Sequence, residues 1–362
     1  MEAPPLPIHY IHHVELIVGN AKQAAFYYRN AFGFNQTAYA GPETGVKDRA
    51  SYLMTQGHIQ LILTTPLDPE HPYAEHLHKH GDGVYDIAFY TSNADQVYTS
   101  ALSRGAKSAL EPMDMKGKKG KIRRAAIHTY GDTIHSFITP EDFEGTFMPG
   151  FEPWEIKGPQ VGVRSVDHIV GNVEDGRMDE WVDWYRNVLG FDHFLTFDDK
   201  QIATQYSSLR SKVVASEDRR IKFPINEPAP GLKKSQIQEF IESYSDAGCQ
   251  HIAMFTDNIV ETVSRLYDQG VEFLSVPDSY YEDLQERVGA IDEDISALKE
   301  LKVLVDRDDK GYLLQLFTKP VEDRPTLFYE IIQRRGAEGF GAGNFKALFE
   351  AIEREQQRRG NL

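Results

Sequence analysis

A single cysteine, Cys249, is all the thiol that this sequence carries. That excludes an intrachain disulfide and suits a reducing compartment. Long apolar runs are missing too, since none reaches the roughly 18 residues that a membrane span needs. Residues 1–7, MEAPPLP, lack a basic segment followed by an apolar core, so no signal peptide is expected. The expected setting is cytoplasmic. Basic residues are outnumbered, 39 Lys and Arg against 55 Asp and Glu, and a net charge of -16 excludes general affinity for nucleic acid or an anionic membrane. The longest basic run, residues 116–124, is broken by Gly117 and Gly120. It reads as a solvated hairpin tip and not as a phosphate-binding patch. What is present is globular composition: 41% hydrophobic residues over 362 positions suffice for a sizeable core, in two domains or one duplicated one.

The chain repeats itself. His13-Val14-Glu15-Leu16-Ile17-Val18-Gly19-Asn20 leads through a helical stretch into Tyr28-Arg29-Asn30-Ala31-Phe32-Gly33-Phe34. Later, His168-Ile169-Val170-Gly171-Asn172 leads into Tyr185-Arg186-Asn187-Val188-Leu189-Gly190-Phe191. Each reads as a short apolar strand, an amphipathic helix and a glycine that ends the helix in left-handed geometry. Helical spacing puts Ala24, Tyr27, Tyr28 and Ala31 on one stripe, and Met178, Trp181, Tyr185 and Val188 on the other. A second unit also recurs: Asp86-Ile87-Ala88-Phe89 precedes a helix ending at Gly105, and His251-Ile252-Ala253-Met254 precedes one ending at Gly270. Two such modules per half predict an α+β fold of two pseudo-repeated domains, residues 1–150 and 160–362, with a linker rich in Pro and Gly over residues 149–159.

The repeat supplies an internal control. His13 corresponds to His168, but Asp86 stands where His251 does. Matching the strands of Thr139 and Thr318 places Gly150 opposite Glu330. The first half thus keeps the scaffold without the polar set, and chemistry is expected in the second.

That polar set is the informative feature. Glu330 lies inside the β-favouring run Leu327-Phe328-Tyr329-Glu330-Ile331-Ile332, where an unpaired charge is costly to bury. A cation removes that cost. His168 and His251 occupy comparable settings at the starts of equivalent strands, which would bring them to one face of a shared sheet. His13 and His135, by contrast, are adequately read as hydrogen-bonded core residues. Two imidazoles and a carboxylate suit the facial triad of non-haem Fe(II), and they also suit catalytic zinc. The usual local zinc signature, two His one helical turn apart, is missing. Spacing alone therefore predicts a metal site and leaves the metal open.

Long strings through these positions resemble the 4-hydroxyphenylpyruvate dioxygenase family over nearly the whole chain. They include Phe223-Pro224-Ile225-Asn226-Glu227-Pro228, Lys234-Ser235-Gln236-Ile237-Gln238-Glu239-Phe240 and Gly248-Cys249-Gln250-His251-Ile252-Ala253. Leu313-Leu314-Gln315-Leu316-Phe317-Thr318, Pro325-Thr326-Leu327-Phe328-Tyr329-Glu330-Ile331-Ile332-Gln333-Arg334 and Gly339-Phe340-Gly341-Ala342-Gly343-Asn344-Phe345 continue the match. The resemblance implies a vicinal-oxygen-chelate fold, similar to glyoxalases and extradiol dioxygenases, built of four βαβββ modules. It implies one Fe(II) per chain on His168, His251 and Glu330. Substrates would be 4-hydroxyphenylpyruvate and O2, turned into homogentisate and CO2 by oxidative decarboxylation, ring hydroxylation and side-chain migration, as in tyrosine and phenylalanine catabolism. The resemblance further implies a homo-oligomer, dimer or tetramer. Hydroxymandelate synthase, with the same substrate but benzylic hydroxylation, is the alternative; a binding or resistance protein of the same fold without turnover is a third reading.

On that resemblance Gln236, Gln315, Ser211 and Asn226 are candidates for hydrogen-bonding substrate oxygens without adding charge. Pro224, Gln250, Phe317, Phe328, Phe340, Asn344 and Phe345 are candidates for the substrate pocket, the phenylalanines forming a dry slot. Regular strand alternation would turn Gln250 away from the face that carries His251, and would point Arg210 outward beside Ser211. Glycines at 336–343 are not followed by Lys-Ser/Thr, so no P-loop is expected. Instead Phe345, Leu348, Phe349 and Ile352 form one stripe of a closing helix, with residues 353–359 as its frayed, solvated end. Cys249 is expected to be buried packing.

Overall fold

Apolar residues at alternate positions, punctuated by glycine-bearing turns, form two mixed sheets in the computed structural model, which describes residues 4–197 and 208–360. The first sheet has nine strands, in the order Ser108–Gly117, Gly120–His128, Ile134–Pro140, Gly83–Thr91, Ile8–Ile17, Ile59–Pro66, Arg49–Gln56, Asn35–Ala40 and Glu152–Ile156. The second has eight: Asp192–Phe197, Ser208–Ala215, Lys222–Ala229, Val163–Asn172, Gly248–Thr256, Phe328–Arg335, Tyr312–Phe317 and Leu304–Arg307. In both, the two modules of a half meet along one central antiparallel contact, Ile8–Ile17 with Gly83–Thr91 and Val163–Asn172 with Gly248–Thr256. Each central strand has a parallel neighbour on its far side. The sequence repeat is therefore a repeat of topology.

The helices Ala21–Asn30 and Ala94–Ser103 of the first half and Met178–Trp184 and Ile259–Asp268 of the second pack on one face of their sheets, and those faces share a single core that runs from Val14 to Ile331. Tyr28 and Tyr329, one from each half, meet hydroxyl to hydroxyl at 2.7 Å inside it. Strand alternation decides the rest. Ile169, Ile252 and Ile331 point into this core, so His168, His251 and Glu330 emerge on the opposite face.

Several expectations need correcting. The helix Ala21–Asn30 starts at Ala21 because the Asn20 side chain accepts from Gln23 N–H, and it buries Ala21, Ala25 and Tyr28. Tyr27 is 38% exposed, so the predicted stripe was rotated from the true one. In the second half the α-helix Met178–Trp184 continues as a π turn over Tyr185–Leu189, which keeps Tyr185, Val188 and Leu189 buried together. The second helix ends at the left-handed Gly190 as expected; the first ends at Asn30 with Ala31 as a right-handed cap, and the left-handed Gly33 follows two residues later, both glycines having φ of 71°. The segment at 149–159 is not bare linker, because Glu152–Ile156 adds a strand to the edge of the first sheet, with Trp154 edge-on against Tyr39 at 5.2 Å. The basic run is a hairpin turn between Gly117 and Gly120, as expected, although Arg124 turns inward to Asp86.

Register also changes the internal comparison. Asp86 pairs across Glu15 as His251 pairs across Val170, which confirms Asp86 at the His251 position. Phe137 pairs with Phe89 as Ile331 pairs with Met254, so the position of Glu330 is taken by Ser136 and not by Gly150. The threonine match misled because Thr139 lies on Ile134–Pro140, the counterpart of the Glu330 strand, whereas Thr318 follows Tyr312–Phe317, the counterpart of Gly120–His128. Residues 129–133 join the last two strands of the first half, whereas residues 318–327 join their counterparts.

Candidate metal centre

Three neighbouring strands deliver the three side chains. His168 and His251 lie mid-strand, not at strand starts, on the antiparallel pair Val163–Asn172 and Gly248–Thr256, and Glu330 lies on the adjoining parallel strand. Their ligand atoms all fall within 4.8 Å of one another. Glu330 Oε2 is 3.1 Å from His168 Nε2 and 3.4 Å from His251 Nε2. All three residues are buried.

Each imidazole is held from behind by the residue before it. His168 Nδ1 donates to Asp167 Oδ1 at 2.7 Å, and His251 Nδ1 donates to Gln250 Oε1 at 3.0 Å. Consecutive residues in a regular strand cannot do this, because they face opposite sides. Register shifts solve the problem: the ladder skips Asp167 between Val166 and His168, and skips Gln250 between His251 and Cys249. Each is an extra, bulged residue, and a bulge re-aims its side chain. This corrects the expected orientation of Gln250, which shares the cavity wall with His251. With both Nδ1 atoms committed as donors, both Nε2 atoms face Glu330 Oε2, and in the neutral tautomer they carry the lone pairs that metal binding needs.

The electrostatics agree. Burial opposes charge on His168, yet the facing Glu330 carboxylate and Asp167 raise its pKa above the ordinary imidazole value. Burial lowers that of His251. Burial would raise Glu330, but His168 and His251 bring it below the usual carboxylate value. Asp167 is held well down against its burial by Arg334 and His168. Two neutral-capable nitrogens and one ionised oxygen, dry and convergent, fit a divalent metal.

The cavity in front of the triad encloses about 560 Å³ of space free of protein atoms, the open solvent at its mouth included. Of the candidates, Ser211, Pro224, Asn226, Gln236, Gln250, Phe317, Phe328, Phe340 and Phe345 line it. Gln315 and Asn344 are not on that wall. Gln315 is buried on the pocket side of its strand with Oε1 unpartnered, tucked behind Gly341, where any Cβ would meet that oxygen at 2.1 Å. Asn344 begins the closing helix and accepts from the Tyr280 hydroxyl at 2.6 Å. Phe345, Leu348, Phe349 and Ile352 all reach the wall, so the predicted stripe is the covering face. The tail is not frayed: the helix runs Phe345–Arg359, buries Gln356, and pairs Arg359 with Glu239 at 2.7 Å. Arg210 points away from the cavity, to Glu227 at 3.1 Å, as alternation from Ser211 predicts. Cys249 is buried, and its thiol is raised by desolvation, consistent with packing.

Sequence reasoning missed Asp167 and Arg334 as supports of the site. A carboxylate next to a candidate ligand was the available signal.

Paired modules around a buried two-histidine, one-carboxylate cluster define the vicinal-oxygen-chelate class. Models of the Glyoxalase/Bleomycin resistance protein/Dioxygenase superfamily match residues 12–123 and 165–316. The 4-hydroxyphenylpyruvate dioxygenases of Dictyostelium discoideum and Tetrahymena thermophila are each 48% identical, over 97% of this chain and 99% and 91% of their own lengths. A triple mutant of 4-hydroxymandelate synthase from Streptomyces coelicolor superposes with a TM-score of 0.85 at 32% identity, covering 97% of this chain and 100% of that one. The chain belongs to the 4-hydroxyphenylpyruvate dioxygenase family. It is an enzyme, a dioxygenase acting on a small molecule and O2, and among its described residues no helix is long and apolar enough to cross a membrane.

Proposed function

We propose that the chain is an Fe(II) enzyme that converts 4-hydroxyphenylpyruvate and O2 to homogentisate and CO2, with His168, His251 and Glu330 as the iron ligands. One observation carries this reading: the described cavity wall contains no Lys or Arg, and its only ionisable groups are those three. A 2-oxo acid entering this slot therefore needs a bound cation to receive its carboxylate. Bound Fe(II) supplies that charge and the redox capacity to use O2 beside the oxo acid.

The protein's own share is orientation and exclusion of water. Ser211, Asn226 and Gln236 offer neutral hydrogen bonds to substrate oxygens, and Gln315 supports the covering loop from behind. Phe317, Phe328, Phe340, Phe345 and Pro224 hold the ring in an apolar slot. Gln250 orients His251, and Asn344 sets the start of the closing helix. Residues 1–150 act as scaffold and residues 160–362 carry the chemistry. A cytoplasmic setting and a homo-oligomeric state, dimer or tetramer, belong to the same reading.

The likeness to a hydroxymandelate synthase makes benzylic hydroxylation the competing outcome. Iron-loaded protein mixed with 4-hydroxyphenylpyruvate is expected to take up O2 and yield homogentisate. Hydroxymandelate as the main product, or no O2 uptake by protein shown to hold iron, sinks the proposal.

A further inference from the structure

We infer that Arg334 is a positioning residue for His168, acting through Asp167, and that the same guanidinium fastens the segment covering the pocket; this rests on reading His168, His251 and Glu330 as a metal centre. Arg334 lies on the strand of Glu330 at an even offset, and so on the same face. Its Nε and Nη2 donate to Oδ2 and Oδ1 of Asp167, both at 2.8 Å. That bidentate pair fixes the carboxylate whose Oδ1 accepts from His168 Nδ1. The remaining nitrogen, Nη1, donates to the carbonyls of Gly339 at 2.6 Å and Ala337 at 3.2 Å. The guanidinium also sits 5.4 Å from the Phe340 ring centroid, and Phe340 meets the His168 ring edge-on at 4.9 Å. One side chain thus reaches the same imidazole by two routes, a hydrogen-bond route to Nδ1 and a packing route to the ring.

The fold does not require this clamp. In the first sheet the ladder makes the same skip, at His12 before His13, and the two Nδ1 atoms lie 2.7 Å apart. Since Ser136 matches Glu330, the residue matching Arg334 is Pro140, which has no side-chain donor. The bulge forms and the sheet closes there without a guanidinium. The clamp accompanies the ligand set and not the scaffold. Lys222, 3.5 Å from Asp167 Oδ1, adds charge but offers no planar fork to fix the carboxylate.

The test is Co(II) titration of the metal-free protein, read by its visible absorption, together with amide exchange over residues 336–345. Arg334→Lys and Arg334→Gln are expected to weaken Co(II) binding by about 10–100-fold, to alter the absorption bands, and to speed exchange in that segment. Lysine should not rescue, because it cannot hold the carboxylate and both carbonyls at once. Asp167→Asn should reproduce the Co(II) defect while leaving exchange slow, since the carbonyl contacts of Arg334 remain. Glu330→Ala is the reference for the site itself. If Glu330→Ala abolishes Co(II) binding but Arg334→Gln changes neither affinity nor bands, the inference fails and the metal centre stands, even where thermal stability drops. Unchanged binding in Glu330→Ala overturns the metal reading and this inference with it. Should Arg334→Gln not fold, unaltered Co(II) affinity in Asp167→Asn overturns the route to His168.

Discussion

Arg124 occupies, in the first sheet, the register position that Gln315 holds in the second: Arg124 pairs across Ile138, and Gln315 across Ile332, each two residues beyond the place of Ser136 or Glu330. Its guanidinium lies 3.1 Å from Asp86, the counterpart of His251, and Asp86 also accepts from the Ser136 backbone and hydroxyl. A tethered cation thus stands in the first half where a metal would stand in the second. Phe147 fills the remaining space, at 5.4 Å from the ring of His13.

Removing that cation strands a fully buried carboxylate. Arg124→Gln is therefore expected to destabilise the protein by about 3–5 kcal/mol, the usual cost of breaking a buried pair from one side, measured by urea unfolding. Metal content by elemental analysis should match that of the parent protein. A variant as stable as the parent would show that Asp86 is not held as an ion pair.

Phe328 lies nearly parallel to His251, with ring centroids 4.8 Å apart and 22° between planes. It touches a proposed ligand and the cavity at once, yet donates nothing to a metal. Phe328→Ala is expected to leave metal content unchanged while lowering kcat roughly 100-fold through misplacement of the aromatic ring, and to change the product ratio. Loss of metal in step with activity would assign Phe328 to ligand support and not to the slot.

How far the sequence could be read depends on what each feature costs physically. Glu330 in an apolar strand was legible because an unpaired buried charge is anomalous, and the module repeat was legible because burial imposes its own period. Bulges leave no such mark. Asp167 and Gln250 look like ordinary alternating residues, and only the skipped rungs of the ladder bring their side chains round to the imidazoles. Which strands correspond across the repeat is equally silent, and setting the strand of Thr139 against the one before Thr318 is why Ser136 was not recognised as the counterpart of Glu330. The end of the closing helix was read as solvated because its charges are dense. Glu239, the partner of Arg359, lies far away in sequence on the helix Gln236–Tyr244.

Acid should loosen this fold from an early point. His135 is fully buried, its Nδ1 donating to the Ile87 carbonyl at 2.9 Å and its Nε2 accepting from the Tyr185 hydroxyl at 2.8 Å, across the two halves. Burial lowers its pKa to about 4, and burial likewise lowers His12 to about 4 and His76 to about 3. The unfolded chain, with imidazoles near 6.5, binds more protons than the native state between these values. The stability these groups contribute is present above pH 6.5 and is lost as pH falls from 6.5 towards 4, by at most about 1.4 kcal/mol per pH unit for each histidine. Urea midpoints at pH 7.5, 6 and 5 should fall accordingly, and His135→Gln should flatten the slope. A flat profile in the parent protein would mean that these imidazoles are not held neutral.

The closing helix has an anchor at its far end. Arg359 donates through Nη2 and Nε to the two carboxylate oxygens of Glu239, at 2.7 and 3.3 Å, and Glu239 sits one helical turn beyond the pocket residue Gln236. Nearer the middle, Arg354 donates to the Ser275 carbonyl at 2.6 Å. These contacts lie outside the metal site, so they should govern covering of the slot and not the affinity for metal. Arg359→Ala is expected to speed amide exchange across 345–359 and to raise KM several-fold, with Co(II) affinity unchanged. Because the Arg359 side chain is 28% exposed, solvent takes up part of the lost interaction, and global stability should fall by only about 1 kcal/mol. Weakened Co(II) binding in this variant would show that the helix end supports the ligands directly, and unchanged exchange would show that the ion pair does not hold the helix down.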